Sequence, residues 1–591
     1  MLEVPFITMQ VVDGSTAVKS AKGATMSFVT GLVIAAAIGA ISTQAFAFDV
    51  WAIDDGLKVR SDADVQQANY VWDGRDMTAR IFGGRNEYVA LQIVLRSKEP
   101  VRGVSLEASA LKGEGGEIGR DSIDIFREHY LYVSVASVYS ARRPVADSLG
   151  RGWYPVQMVP LSAKEFGAPC EIEAGRNEVF WVDIYIPKET PAGTYRGTAS
   201  VTVAGKAEET LTIELEVYPY TLDDETHFGN WFYYGPEQIA LAFDVVGQAR
   251  LSQIEETYIQ MAHQHRMNLA TEPYPVPGPD GRFDWDSWWA RYGKYIDGTA
   301  FTTRACQGAG AMIWPMGYAG KLDNKELFQR NMRECVEFLK KKGYSDKFFL
   351  YVIDEPNSRD AYEKVRMLAD WLKEATGREM PLMLTEQVTP QREEWGSLVG
   401  YVDIWDSPRI TQEQIRERHA AGEKVWTYNG GHAGAPYIDT PALDVASWGW
   451  MTWRLGLDAW FMWDAAYYES KIFVPKQMTD VWNDPLTFDE TKRPGYTAAD
   501  ALRLNGDGVF LYPGRQVGLD TSVAGFRMKA FRRGAQDYEM LWLLGQSGKR
   551  ETADELAREM CPEARVWETD AAKWFATRRH MAEMLGETAG E

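Results

Sequence analysis

The residues with the clearest chemical potential are Asp354 and Glu355, which end the stretch Lys347-Phe348-Phe349-Leu350-Tyr351-Val352-Ile353-Asp354-Glu355-Pro356. An apolar run stops abruptly at two acids and a proline. A parallel strand ends this way when its tip faces a substrate. Burying two neighbouring carboxylates is costly unless they act. Close carboxylates separate their proton affinities, so one serves as an acid while the other stays ionised. Cleavage of a glycosidic bond uses such a pair. Neighbours on an ideal strand point to opposite faces, so both acids reach one substrate only where the strand ends or bends. Pro356 cannot continue a ladder and favours that break. The plainer alternative is a helix cap or an ion pair with Arg359.

The elements that must position this pair are legible as a repeating pattern. Residues 228–234, 267–272, 311–316, 348–354, 382–388, 402–406, 424–428 and 457–463 read as strands. Helical periodicity lies between them at 252–265, 325–342, 359–375, 411–421 and 441–455. This alternation predicts a (β/α)8 TIM-like barrel over residues 223–550, whose strand ends share one mouth. A long loop, residues 465–525, follows the eighth strand and is too aromatic for disorder. A helix over 525–544 is expected to close the barrel, and residues 551–591 form a helical tail. Upstream, residues 48–222 show short alternating runs separated by turn clusters, the pattern of an all-β sandwich. The fold class is therefore multidomain, all-β followed by α/β. The glycines between 113 and 119 lack a dinucleotide fingerprint and read as a hairpin loop.

Composition narrows the function classes. The 591 residues carry a formal net charge of -21, which disfavours nucleic acid as a partner. Four widely spaced cysteines give neither a disulfide framework nor a zinc site. The 22 tryptophans serve as core or as platforms for sugar rings. Lys19 and Lys22, the apolar run 26–41 and Ala45-Phe46-Ala47 form a secretory signal within residues 1–47, so a secreted or periplasmic protein is expected. No later stretch is apolar enough to span a bilayer. His263-Gln264-His265 lacks further ligands, and the histidines read as surface or capping residues rather than a metal site.

Many barrel glycosidases place a second carboxylate at the tip of the seventh strand. Here that strand reads Val-Trp-Thr-Tyr-Asn-Gly-Gly, without an acid. One resolution is that the substrate's own 2-acetamido oxygen attacks the anomeric carbon, an exception to the two-carboxylate scheme. The Asp-Glu pair, the segment Gly506-Asp507-Gly508-Val509-Phe510-Leu511-Tyr512-Pro513-Gly514 and the segment from Phe526 to Glu539 resemble glycoside hydrolase family 123 and its uncharacterised relatives. The resemblance covers residues 50–550 and is firmest over 345–545. It implies an exported β-N-acetylgalactosaminidase with a β-sandwich before a (β/α)8 barrel, needing no cofactor and taking a glycan as its partner. Carried over, Asp354 would stabilise the acetamido group and Glu355 would be the acid/base.

Further candidates follow from the expected mouth. Tyr428 is placed to meet the acetamido oxygen, or packs in the core. Asn429 and His432 sit in a Gly-rich loop suited to sugar hydroxyls. Trp463 and Asp464 would give a ring wall and a hydroxyl acceptor. Trp482 and Asp484 would form a lid. Tyr234 and Glu272 end the first and second strands. Two other readings stand beside this one: a hydrolase for another sugar that pairs Glu355 with Asp406 or Asp464, and a non-catalytic glycan-binding protein.

Overall fold

The computed structural model describes residues 48–140, 143–275, 277–318, 320–470, 477–497 and 499–589. The expected signal segment, residues 1–47, lies outside them. No helix of the described residues is long and apolar enough to cross a membrane.

The N-terminal region is built from two sheets. One has five antiparallel strands in the order Phe48–Asp54, Glu87–Ser97, Asn177–Ile186, Ile123–Val133, Gly152–Pro160. The other contains Cys170–Ile172, Val101–Ala108, Gly193–Val203, Lys206–Thr221, Thr78–Arg85 and Trp72–Asp73 in that order. Buried residues of both, among them Trp51, Leu91, Val182, Val104, Ala199 and Leu215, form a single core. In Val101–Ala108 the apolar Val101, Val104 and Leu106 are buried while Arg102 and Glu107 are exposed, as a strand with one wet face requires. Asn177–Ile186 is buried at every residue. Its outer face is covered by the helix Phe526–Gln546, whose Phe526 packs on Trp181. That cover brings charge with it. Asp183 accepts from Lys529 Nζ at 2.6 Å and from Arg532, all three side chains being buried.

The second region alternates parallel strands and helices. Asn230–Phe232 pairs with Ala459–Met462, which pairs with Lys424–Tyr428, then Ile404–Asp406, then Met383–Leu384. A single parallel bridge, Leu350 to Leu382, leads on to Phe348–Leu350, which pairs with Trp314–Met316. On the other flank Phe232 bridges Leu269. Among the described residues no ladder joins residues 267–272 to Trp314–Met316; only the Asn268 side chain donates there, to the Ile313 carbonyl at 2.8 Å. The continuous eight-stranded ring expected from the sequence is thus absent as a hydrogen-bonded ladder. The ladders are also shorter than the apolar runs. Aromatic rings fill the space inside them: Trp231 stacks on Phe461 at 4.3 Å and meets Phe349 at 5.5 Å, and Phe349 meets Trp426 at 4.9 Å.

The helices lie close to their expected bounds because their caps are local. Asn324, Ser358 and Thr411 each accept a backbone N–H three residues on, starting Lys325–Lys342, Arg359–Thr376 and Gln412–Ala420. Ala442–Leu455 and Phe526–Gln546 cross at glycines. A methyl on Gly449 would come within 2.2 Å of the Gly534 carbonyl oxygen. Pro236–Phe243 and Trp285–Ile296 were not anticipated. The segment expected as a tail forms Arg550–Met560 and Ala571–Ala589, and Arg578 lies buried against Glu87 and Asp537.

Candidate active site

The parallel strands of the second region end at one cavity of about 1100 Å³. Tyr233, Gly317, Tyr351 to Glu355, Thr385, Pro408, Tyr428 to Gly431 and Trp463 line it, each lying within or just past the C-terminal end of its strand. The chain leaves the ladder after Leu350, although the Tyr351 N–H still donates to the Met316 carbonyl at 3.0 Å.

The two acids reach the same cavity through a backbone turn. Glu355 has φ of 39°, in the left-handed region that a residue with a side chain rarely adopts. Such a conformation costs about 1–3 kcal/mol and persists where neighbours enforce it. Thr385 does so. Its hydroxyl accepts from the Glu355 N–H at 2.9 Å and donates to Asp354 Oδ1 at 2.7 Å. One side chain thereby fixes the backbone of one acid and the carboxylate of the other. Tyr351 donates a second hydrogen bond to Asp354 Oδ1 at 2.7 Å, and Tyr428 donates to Glu355 Oε1 at 2.9 Å. Burial pushes both phenols up, and the adjacent carboxylates push them further, so both stay protonated donors. The apolar run suggested buried acids. Instead both are exposed on the cavity wall, because the turn lifts them out of the strand.

Glu272, Tyr428, Asn429 and Trp463 also line the cavity. The Asn429 side-chain oxygen accepts from the Trp463 N–H at 3.3 Å. The Trp463 ring leans on Tyr467 and Phe488 and donates to Asp507 at 3.4 Å. Burial pushes the Asp507 carboxyl up to about 6.

Five expected residues lie outside the cavity lining. Tyr234 is buried and donates to Glu255 at 3.2 Å, because alternate residues of an extended chain face opposite ways; Tyr233 takes the site position. His432 is buried under its loop, bonded to Thr427 Oγ1 at 2.8 Å and to the Ile410 carbonyl at 2.9 Å. Asp464 is buried and accepts from the Ala466 N–H at 2.8 Å. Trp482 is buried against Phe166 and Tyr512, with its indole donating to the Pro513 carbonyl at 2.9 Å, so it is core rather than lid. Asp484 is spent on an exposed turn, accepting from the Leu486 N–H at 2.9 Å. Asp406, considered as a partner for Glu355, is fully buried below the cavity without a hydrogen bond to either oxygen; burial, then Asp354 and Glu355, push its carboxyl well up. Of the two histidines, His263 is half-buried and bonds to the Ala309 carbonyl, and His265 is buried as the C-terminal cap of the helix Gln248–Gln264 and bonds to the Met261 carbonyl. All four cysteines are buried and free.

The walls contain residues the sequence did not single out. Tyr139, Arg143 and Asp147 come from the N-terminal region. Strand Val138–Ser140 joins a four-stranded sheet with Arg143–Pro144, Arg503–Asn505 and Leu486–Asp489, so the long loop and the N-terminal region build one wall together. Arg565 and Trp567 come from the turn between the last two helices. Arg565 is held there by the Gly431 carbonyl at 2.8 Å and the Pro408 carbonyl at 3.0 Å. Most tryptophans are buried core; Trp463 and Trp567 line the cavity.

With this geometry in view, the similarities are informative. A family profile described as "Glycoside hydrolase 123, catalytic domain" matches residues 304–544, and "Glycoside hydrolase 123 N-terminal domain" matches residues 66–203. No curated protein matches the sequence. Among solved structures, a family 123 glycoside hydrolase from Clostridium perfringens, studied for glycolipid glycan hydrolysis, superposes with a TM-score of 0.64 at 12% identity, covering 92% of this chain and 98% of that one. A GH5 xyloglucanase from Bacteroides ovatus aligns at 9% identity over 78% of this chain and 98% of its own, with a TM-score of 0.25. A putative glycoside hydrolase from Bacteroides vulgatus aligns at 10% identity over 65% and 71%, with a TM-score of 0.24. The first of these supports a shared fold.

Proposed function

The chain belongs to glycoside hydrolase family 123, and from that premise we propose that it is an exported exo-acting enzyme releasing terminal β-linked N-acetylgalactosamine from glycans by a retaining, substrate-assisted mechanism. The parallel strands are read as an irregular (β/α)8 barrel behind a β-sandwich. One observation carries the mechanism. Asp354 and Glu355 line one cavity side by side, while the tip of Lys424–Tyr428 continues as Asn429-Gly430-Gly431 without a carboxylate.

In the first step the 2-acetamido oxygen attacks the anomeric carbon and the bond to the leaving oxygen breaks. Glu355 gives its proton to that oxygen. Asp354, held by Tyr351 and Thr385, accepts from the amide N–H and balances the charge that spreads onto the ring nitrogen. In the second step Glu355 takes a proton from water as it opens the oxazoline, restoring the β-configuration. Tyr428 holds Glu355 in line for both transfers.

Purified protein should hydrolyse chromogenic β-N-acetylgalactosaminide in preference to sugars lacking the acetamido group. Glu355→Gln should abolish turnover of poor leaving groups and largely spare good ones. Asp354→Asn should cripple every 2-acetamido substrate. A thiazoline mimic of the cyclised intermediate should inhibit tightly, and an active enzyme indifferent to it would reject substrate assistance.

A further inference from the structure

We propose that the smaller cavity on the far side of Glu355, about 330 Å³ in volume, is the subsite for the sugar residue that departs, and that it selects a compact, acceptor-rich sugar over an apolar aglycone. The assignment rests on the acid/base role given above to Glu355. That residue lines both cavities together with Thr385, Pro408, Arg409 and Tyr428, and these five form the boundary between them. An acid that protonates the oxygen joining two sugars must stand between the residue cleaved and the residue released. The larger cavity holds Asp354, which faces the acetamido sugar, so the smaller one faces the other side of the scissile bond.

The chemistry of the smaller cavity is distinctive. Asn357, Gln387 and Arg409 line it, and among the described residues none of their side-chain groups has a hydrogen-bond or ion-pair partner. Asn357 and Gln387 therefore offer unspent donors to the smaller cavity alone, and Arg409 offers its own at the boundary with the larger one. Glu386, in contrast, is occupied: it accepts from the Gln387 N–H and the Gln391 amide, each at 2.7 Å, and burial pushes its carboxyl up. Arg409 is thus the charge left for a ligand. Apart from Tyr428 no aromatic ring lines this cavity, so a lipid or aryl group gains little there. Its volume lies at the small end of ligand sites, which span about 300–1,000 Å³. Sugar hydroxyls and a uronic-acid carboxylate share the acceptor chemistry these donors require.

The test compares wild type, Asn357→Ala, Gln387→Ala and Arg409→Ala on three β-N-acetylgalactosaminides. Their leaving groups are 4-nitrophenol, galactose and glucuronic acid. Each variant should lose about tenfold more kcat/KM on the two disaccharides than on the aryl glycoside, the effect of one lost hydrogen bond. A still larger loss for Arg409→Ala on the glucuronic acid substrate identifies the carboxylate as the preferred acceptor; equal losses identify hydroxyls. Parallel losses on all three substrates, or none, overturn the subsite. Should wild type cleave none of them, the functional reading falls. The subsite is then judged by calorimetric titration of galactose and glucuronic acid: binding weakened at least tenfold by Asn357→Ala or Arg409→Ala supports it, and unchanged or absent binding overturns it.

Discussion

Thr385 does for the acid pair what the sequence of the pair itself does not. Its hydroxyl joins the Glu355 backbone to the Asp354 carboxylate and stabilises a left-handed turn on a residue that bears a side chain. Thr385→Val removes both hydrogen bonds at nearly constant volume. It should lower kcat about 10- to 100-fold, with Thr385→Ser recovering most of the rate; steady-state kinetics checks this. Tyr428→Phe should cost about tenfold in kcat/KM by releasing Glu355. At this scale the sequence announced the two acids because an apolar run ending in Asp-Glu-Pro is hard to explain otherwise. Thr385 was not legible: its role comes from the neighbouring strand end, thirty residues on. Tyr234 reads as the tip of the first strand, but a run of aromatic residues does not show which parity faces the mouth, and one residue of register reverses every side chain.

Helices were more legible than strands. Lys325–Lys342, Arg359–Thr376 and Gln412–Ala420 carry their start signal in the residue before them, whereas a strand's length depends on partners elsewhere in the chain. The helix Phe526–Gln546 shows what its buried polar residues do. Gly534 admits Ala442–Leu455 at backbone distance, Asp537 accepts from the Trp450 indole at 2.9 Å, and Glu539 accepts from the His227 N–H at 2.8 Å. Gly534→Ala should destabilise the protein by at least about 1–3 kcal/mol, measured by denaturant titration, because the added methyl meets backbone on the opposite helix. Asp183→Ala should cost about 3–5 kcal/mol, since it leaves Lys529 and Arg532 buried without their counter-charge. His129 gives a pH signature. It stacks on Phe166 at 4.0 Å, and burial holds its imidazole down to about 4, opposed by a hydrogen bond to the Trp482 carbonyl. The unfolded chain takes up this proton below about 6.5 and the folded one does not until about 4. Its contribution is therefore present above about 6.5 and lost as pH falls towards 4. His129→Gln should flatten the pH dependence of Tm across that window.

The whole molecule is more interlocked than its sequence pattern implies. Residues of the N-terminal region and of the strand-helix region share buried ion pairs at Asp183, at Asp54 with Arg533, and at Glu87 with Arg578. Ser137 and Asp439 are joined by hydrogen bonds to both the backbone N–H and the hydroxyl of the serine. Calorimetry should therefore show one unfolding transition for residues 48–589, and chains divided near residue 222 should fail to yield two stable pieces. The change of rhythm at that point was visible because alternating runs give way to strand-helix repeats. The shared cavity walls were not, because Tyr139 lies hundreds of residues from Asp507 and Trp567 and the three carry no common motif.

Arg565 and Trp567 reach the cavity from the turn between Arg550–Met560 and Ala571–Ala589, so a stretch of chain far downstream of the acid pair supplies part of the chamber in which the glycan sits. A growing polypeptide can hold its acid pair in place long before it owns a finished binding chamber. Competence thus waits on this turn, and a premature stop after residue 560 would release a chain with its catalytic dyad encoded and its sugar grip incomplete.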